Sequence, residues 1–218
     1  MLLAATALQR RLTAEHHPGK EEDLWAVLRH PQILILSCSF FCVVVGIQGI
    51  TLWLPQVLRH HGLSMTTTGL TATVPFLLAC IGMITWSHRV DRTRAFLSNY
   101  IGCCACAAFG FAVAGAVDSV AGLIVGASMA LIGMNASRPA LFSLVPVYLQ
   151  GPAAAAGMAV VTSIGNLGGF FGPLMMGRLK DSTGSFAAGL LGLAGILALA
   201  ALVALLVKVV ARPVARTP

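Results

Sequence analysis

Charge is what this sequence has least of. Only 10% of its 218 residues are Asp, Glu, Lys or Arg, against about 25% in ordinary soluble domains. With a mean hydropathy of +0.87, that scarcity excludes a water-soluble domain. The seven acids are Glu15, Glu21, Glu22, Asp23, Asp91, Asp118 and Asp181. None lies inside an apolar run, and neither does any histidine, so this chain has no group of its own placed to relay protons through a membrane. No apolar run pairs a nucleophile with a base, which removes the usual enzyme chemistry. Cys38, Cys42, Cys80, Cys103, Cys104 and Cys106 all fall in apolar runs, and none has histidines or a second cysteine pair at ligand spacing. They are expected to be buried small hydrophobes, with no metal and no cofactor. Length sets the last limit. At about 20 apolar residues per span, 218 residues hold six spans and not twelve.

What is present is a series of such spans. They are expected at about 33–58, 67–86, 95–117, 120–149, 151–176 and 186–207, giving an all-α membrane protein with a six-helix bundle over 33–207. The stretch 1–32 divides into an apolar start, a polar loop and a short interfacial helix, Leu24 to Arg29, capped by Asp23. Residues 208–218 form a basic tail. His60 and His61 fall in a turn between spans, Trp53 at an interface, and the charged run Ser87 to Arg94 in a loop.

The fifth span is the most informative. From Gly151 to Gly184 it reads GPAAAAGMAVVTSIGNLGGFFGPLMMGRLKDSTG, a poor helix in water but an acceptable one in lipid, where neighbours repair what glycine and proline loosen. Gly165 with Gly169, and Gly168 with Gly172, are small pairs that let backbones touch, and Pro173 follows them. Asn166 must face protein or water. Two readings stay open: a packing seam with an interhelical hydrogen bond, or a broken helix lining a cavity. Arg138 in the fourth span is costly in hydrocarbon, by estimates from about 2.5 to 17 kcal/mol, and must face a cavity, pair or snorkel.

The excess of 14 basic over 7 acidic residues reads as loop charge rather than as a nucleic-acid surface. Arg10, Arg11, Lys20, Arg29, Arg89, Arg92, Arg94, Lys208, Arg212 and Arg216 lie on the side of the termini, and Arg59, Arg178 and Lys180 opposite. This bias places both termini in the cytoplasm.

GIQGITLWLPQVLRHHGLS in the first span, VDRTR after the second and AAAAGMAVVTSIGNLGGFFGPLMMGRLKDSTGS in the fifth together resemble the C-terminal half of the major facilitator superfamily, and within it the anion:cation symporter branch of tartrate, phthalate, hexuronate and galactonate transporters. The resemblance implies one half of a twelve-helix fold, in a bacterial inner membrane, that rocks about a central site for a small organic anion. It implies that Asn166, in the family's S-I-G-N-L-G-G segment, and Gln48 hydrogen-bond substrate. It implies that Asp91 and Arg92 belong to a cytoplasmic latch loop, and that residues 1–29 correspond to the end of a sixth helix and the central loop. Thr162, Ser87 and the lack of a glycine after Thr93 depart from the pattern. So does Arg138, which is either a carboxylate receptor or a defect in a remnant. The expected function is transport of an organic carboxylate by cation or proton symport, in partnership with an N-terminal six-helix half or a second copy. The alternative is a non-transporting subunit or inactive remnant.

Overall fold

The computed structural model describes residues 27–210, and every element in that range is helical: α1 (Pro31–His60), α2 (Met65–Thr93), α3 (Phe96–Ala116), α4 (Val120–Tyr148), α5 (Pro152–Asn166), α6 (Gly168–Thr183) and α7 (Phe186–Val210). α5 and α6 make one span. Leu167 between them keeps helical dihedrals, φ −59° and ψ −27°, while Leu167 N donates to Ile164 O and Phe170 N to Leu167 O, so one turn is wound tighter. Six stretches are therefore long and apolar enough to cross a membrane. The apolar start, the Asp23 cap, most of the interfacial helix and the tail beyond residue 210 lie outside the described residues.

Two charged segments differ from the sequence reading. The run 87–94 is not a loop, because α2 continues to Thr93. α6 likewise carries Arg178, Lys180 and Asp181 on to Thr183 instead of ending near Met176. The reason is length. A 29-residue helix is about 44 Å long at about 1.5 Å per residue, and the hydrocarbon core is only about 30 Å thick. The ends of such helices stand among headgroups, where charge ends the apolar run without ending the helix.

α1 and α4 are the most enclosed spans and α2 the least. α1 packs against α5, α6 and α7, α3 packs against α4 and α7, and α2 lies on α4. Small residues set the closest approaches. A Cβ on Gly133 would stand 2.5 Å from the Cys103 carbonyl oxygen, one on Gly110 2.5 Å from Ala130 N, and one on Gly126 2.5 Å from Ala114 N. This α3–α4 seam is written in the chain as Cys103, Ala107, Gly110 and Ala114 facing Gly126, Ala130 and Gly133. Its helical spacing is legible, but the sequence reading did not single it out. A buried polar knot ties three spans: Ser39 Oγ donates to Ala200 O at 2.8 Å, which leaves the Tyr100 hydroxyl to donate to Ser39 Oγ at 2.8 Å.

The cysteines correct their expectation in part. Cys42, Cys103 and Cys104 are buried, but Cys38, Cys80 and Cys106 lie on outward faces of their helices. A thiol behaves as a small hydrophobe, so an outward face within a spanning helix suits it as well as a protein interior.

Candidate functional site

Gln48, Asn166 and Arg138, the three polar side chains singled out in the sequence, sit near mid-length of three spans. On α1 the outward stripe runs Leu34, Cys38, Gln48, Leu52 and Arg59. Gln48 is the only residue of that stripe far from both ends that carries an amide, and its side chain is exposed. α6 supplies the opposite wall. An added Cβ on Gly169 would be 3.6 Å from Gln48 Cγ and 3.8 Å from its Nε2, ordinary contact distances, so Gly169 leaves Gln48 a shelf to lie along. Asn166 is three residues earlier, at the last position of α5, and it too is exposed. Among the described residues neither amide has a hydrogen-bond partner. Pro173 has no N–H, so the Gly169 carbonyl also lacks its helical donor.

The glycines divide the labour. Gly168 and Gly172 touch α1 backbone: a Cβ on Gly168 would meet Phe41 O at 2.5 Å and Val45 N at 2.9 Å, and one on Gly172 would run into Val45 O and come within 2.8 Å of Gly49 N. Gly165 instead makes a notch for the ring of Phe40. Gly169 faces a side chain. Of the two readings left open for this span, the seam is present at Gly168 and Gly172, while Asn166 makes no interhelical hydrogen bond among the described residues.

Arg138 belongs to α4 and is half-buried, and its Nε is buried without a partner. Three residues before it, Asn135 donates from Nδ2 to Leu131 O at 2.9 Å. Pro139 leaves the Asn135 carbonyl without its helical donor, as Pro173 does for Gly169. One turn after Arg138, Phe142 meets Phe40 edge-on with centroids 5.8 Å apart. Phe40 is therefore the common neighbour: it fills the Gly165 notch beside Asn166 and abuts the turn after Arg138. Among the described residues Arg138 makes no hydrogen bond to either amide. Neither Phe40 nor the Asn135 carbonyl was singled out in the sequence. Asn135 could have been found from its helical spacing to Arg138, whereas nothing in a phenylalanine marks it as the one that joins two helices.

Other candidates lie at the bundle ends. Asp91 and Arg92 are exposed on the last turn of α2, so the segment expected as a latch loop is helical. Trp53 donates from Nε1 to Pro173 O at 3.1 Å, and Lys180 Nζ stands 5.6 Å from its ring centroid and 4.9 Å from that of Phe186. His60 meets Phe186 edge-on at 5.4 Å and, with His61, Asp118 and Ser185, lines a hollow of about 300 Å³ at that end. The hollow lies more than two helical turns from Gln48 along α1, too far to share its chemistry. Among the described residues no three His, Cys, Asp or Glu side chains gather closely enough to hold a metal ion.

A family model described as the Major Facilitator Superfamily matches residues 1–173. A putative tartrate transporter of Agrobacterium vitis is 37% identical over 184 residues, which is 84% of this chain and 40% of that protein. A second putative tartrate transporter of the same organism is 38% identical over 172 residues, 79% of this chain and 40% of that protein. A quinolone resistance transporter of Acinetobacter baumannii is 30% identical over 185 residues, 83% of this chain and 42% of that protein. The chain spans about two fifths of the length of these curated relatives.

Proposed function

Since this chain belongs to the Major Facilitator Superfamily, we propose that it forms one wall of a transport path for a small organic carboxylate, completed by a second six-helix unit. The observation that carries this reading is the pair of exposed, unpartnered amides, Gln48 and Asn166, near mid-height of a membrane bundle. An amide facing hydrocarbon is costly, so this face is covered by protein or wetted by a cavity. Transporter sites form where repeats meet near the midplane, and that is the depth at which these residues lie. Gln48 and Asn166 supply hydrogen bonds to a hydroxylated acid, and Arg138 supplies the positive charge. Two similar proteins named as tartrate transporters favour a hydroxy-dicarboxylate. Symport coupling, in this reading, resides in the other unit, because none of the chain's acids lies in an apolar run.

The loop charges orient it with the α2–α3 turn in the cytoplasm. Cysteines introduced at His61 and Arg178 are expected to react with impermeant thiol reagents only from the outer face, in a background where the native cysteines are replaced. Labelling from the cytoplasmic face alone would invert the assignment.

The functional test is reconstitution. Liposomes holding this polypeptide together with the N-terminal six-helix half of a tartrate-transporting relative are expected to accumulate tartrate, and liposomes holding either alone are not. Asn166→Ala is expected to lower uptake by roughly tenfold, the loss of about one hydrogen bond to a charged group. Uphill uptake by this chain alone, or paired uptake indifferent to Asn166→Ala, would sink the reading.

A further inference from the structure

At the end of the bundle bearing the α2–α3 turn, two hollows adjoin. One, about 310 Å³, is lined by Trp86, Arg89, Thr93, Ala95, Ser98 and Asn99. The other, about 420 Å³, is lined by Arg94, Ala95, Phe96, Ser98, Leu144 and Val147, with Leu97 beside them. Ala95 and Ser98 line both, so the two are neighbours at this corner. The first offers the Arg89 guanidinium and the Thr93, Ser98 and Asn99 side chains on a wall that is mostly apolar. The second has a basic rim at Arg94 and an apolar wall made by α3 and α4.

Of the arginines here Arg89 is held in place, and among the described residues none is paired with a carboxylate. Arg89 sits over the Trp86 ring, its Cζ 5.4 Å from the centroid. That cation–π contact fixes the guanidinium without neutralising it. Arg94 ends α2 in the left-handed region at φ 49°, the only non-glycine positive φ among the described residues. Helices commonly stop on glycine at such a position because a side chain there costs energy. This chain places a guanidinium there instead. Among the described residues none of Arg89, Arg92 and Arg94 is paired with a carboxylate, although Asp91 shares their turn. Asn99 braces the corner, donating from Nδ2 to Thr93 Oγ1 and to Ala95 O, each at 2.9 Å.

We propose that this corner binds the phosphodiester headgroup of an anionic phospholipid, the phosphate between Arg89 and Arg94 and the first acyl carbons along Leu144 and Val147. Three features fit that ligand and not a soluble phosphate compound alone. The hollow stands at a membrane-facing corner where a spanning helix leaves the hydrocarbon. Its cations stand at the end of a spanning helix, Arg89 held over Trp86, where a basic side chain draws anionic lipid. Its second chamber is lined by Leu144 and Val147, about one turn apart on α4, which offer apolar surface to a lipid tail beside the basic rim. Guanidinium favours phosphate because its planar fork matches two oxygens at once. The site is independent of the transport reading, since it shares no residue with the amide face.

The test uses the 218-residue chain purified in detergent, with native mass spectrometry counting bound lipid and thermal unfolding measured in parallel. Phosphatidylglycerol is expected to be retained in preference to phosphatidylcholine and to raise the melting temperature. Arg89→Gln and Arg94→Gly are each expected to lower that preference about fivefold, the fold-change expected for one basic side chain at an anionic surface. Arg94→Gly also relieves the left-handed backbone, so its lipid-free melting temperature should match or exceed that of the unaltered chain, which separates lost binding from lost folding. Arg59→Gln, at the other end of α1, should leave the preference unchanged. Equal retention of the two lipids, a double variant that still prefers phosphatidylglycerol, or the same stabilisation by inorganic phosphate would each overturn the proposal.

Discussion

Gly172→Leu is expected to lower the melting temperature of the chain in detergent by roughly 6–12 °C, the counterpart of about 3 kcal/mol in a protein of this size. The cause is local and rigid. Gly172 lies against α1 backbone, where an added Cβ would collide with Val45 O and reach within 2.8 Å of Gly49 N and 3.1 Å of Val45 C. Side chains move aside by changing rotamer, but a carbonyl inside a helix does not. α1 is also the most enclosed span, packed against α5, α6 and α7, so pushing α6 off it opens several contacts together. Gly169→Ala is the matched control. Its Cβ would meet only the Gln48 side chain at 3.6 Å, so its melting temperature should stay within about 2 °C of the parent. The two sites are three residues apart in one glycine-rich run. Equal losses from both changes would show that the run acts through backbone flexibility and not through the α1–α6 contact.

That contrast marks how far the sequence could be read. Spacing alone allowed either glycine pair to be the seam, and the geometry divides them: Gly168 and Gly172 on backbone, Gly165 on Phe40, Gly169 on Gln48. Span number and order were legible because each span needs a long apolar run, and lipid leaves few other structures open to such runs. Helix ends were less legible. Arg89, Asp91 and Arg92 look like a loop by composition, yet they ride on a helix that outruns the hydrocarbon. For the site, the unusual residues were visible individually, since Gln48, Asn166 and Arg138 are polar groups in apolar surroundings. Their relation was not. Phe40 and Phe142 link the neighbourhoods of Asn166 and Arg138, and Gly169 lies beside Gln48; such contacts depend on the rotation of three helices about their axes, which hydropathy does not encode.

Arg138→Gln is expected to act in opposite directions on folding and on transport. A half-buried guanidinium in a spanning helix, with Nε buried and unpartnered, is a burden on the unliganded protein, and removing the charge should raise the melting temperature in detergent. In liposomes that also hold an N-terminal half, the same change should lower tartrate uptake by roughly 10- to 150-fold, the range spanned by about 1.5–3 kcal/mol for a hydrogen bond to a charged group. The asymmetry follows from the chemistry of the face. Gln48 and Asn166 can orient an anion but cannot offset its charge, and the chain's acids all lie outside its apolar runs, so no nearby carboxylate competes for the arginine. Arg138→Lys keeps the charge and loses the planar fork, so it should fall between the parent and Arg138→Gln. Asn166→Ala, which removes a neutral group, should cost less than Arg138→Gln. Uptake that tolerates Arg138→Gln while still requiring Asn166 would remove the arginine from the site and leave recognition to the amides. A melting temperature that falls in Arg138→Gln would show that the guanidinium is already satisfied in the unliganded protein, and its role as the free anion receptor would fail with it.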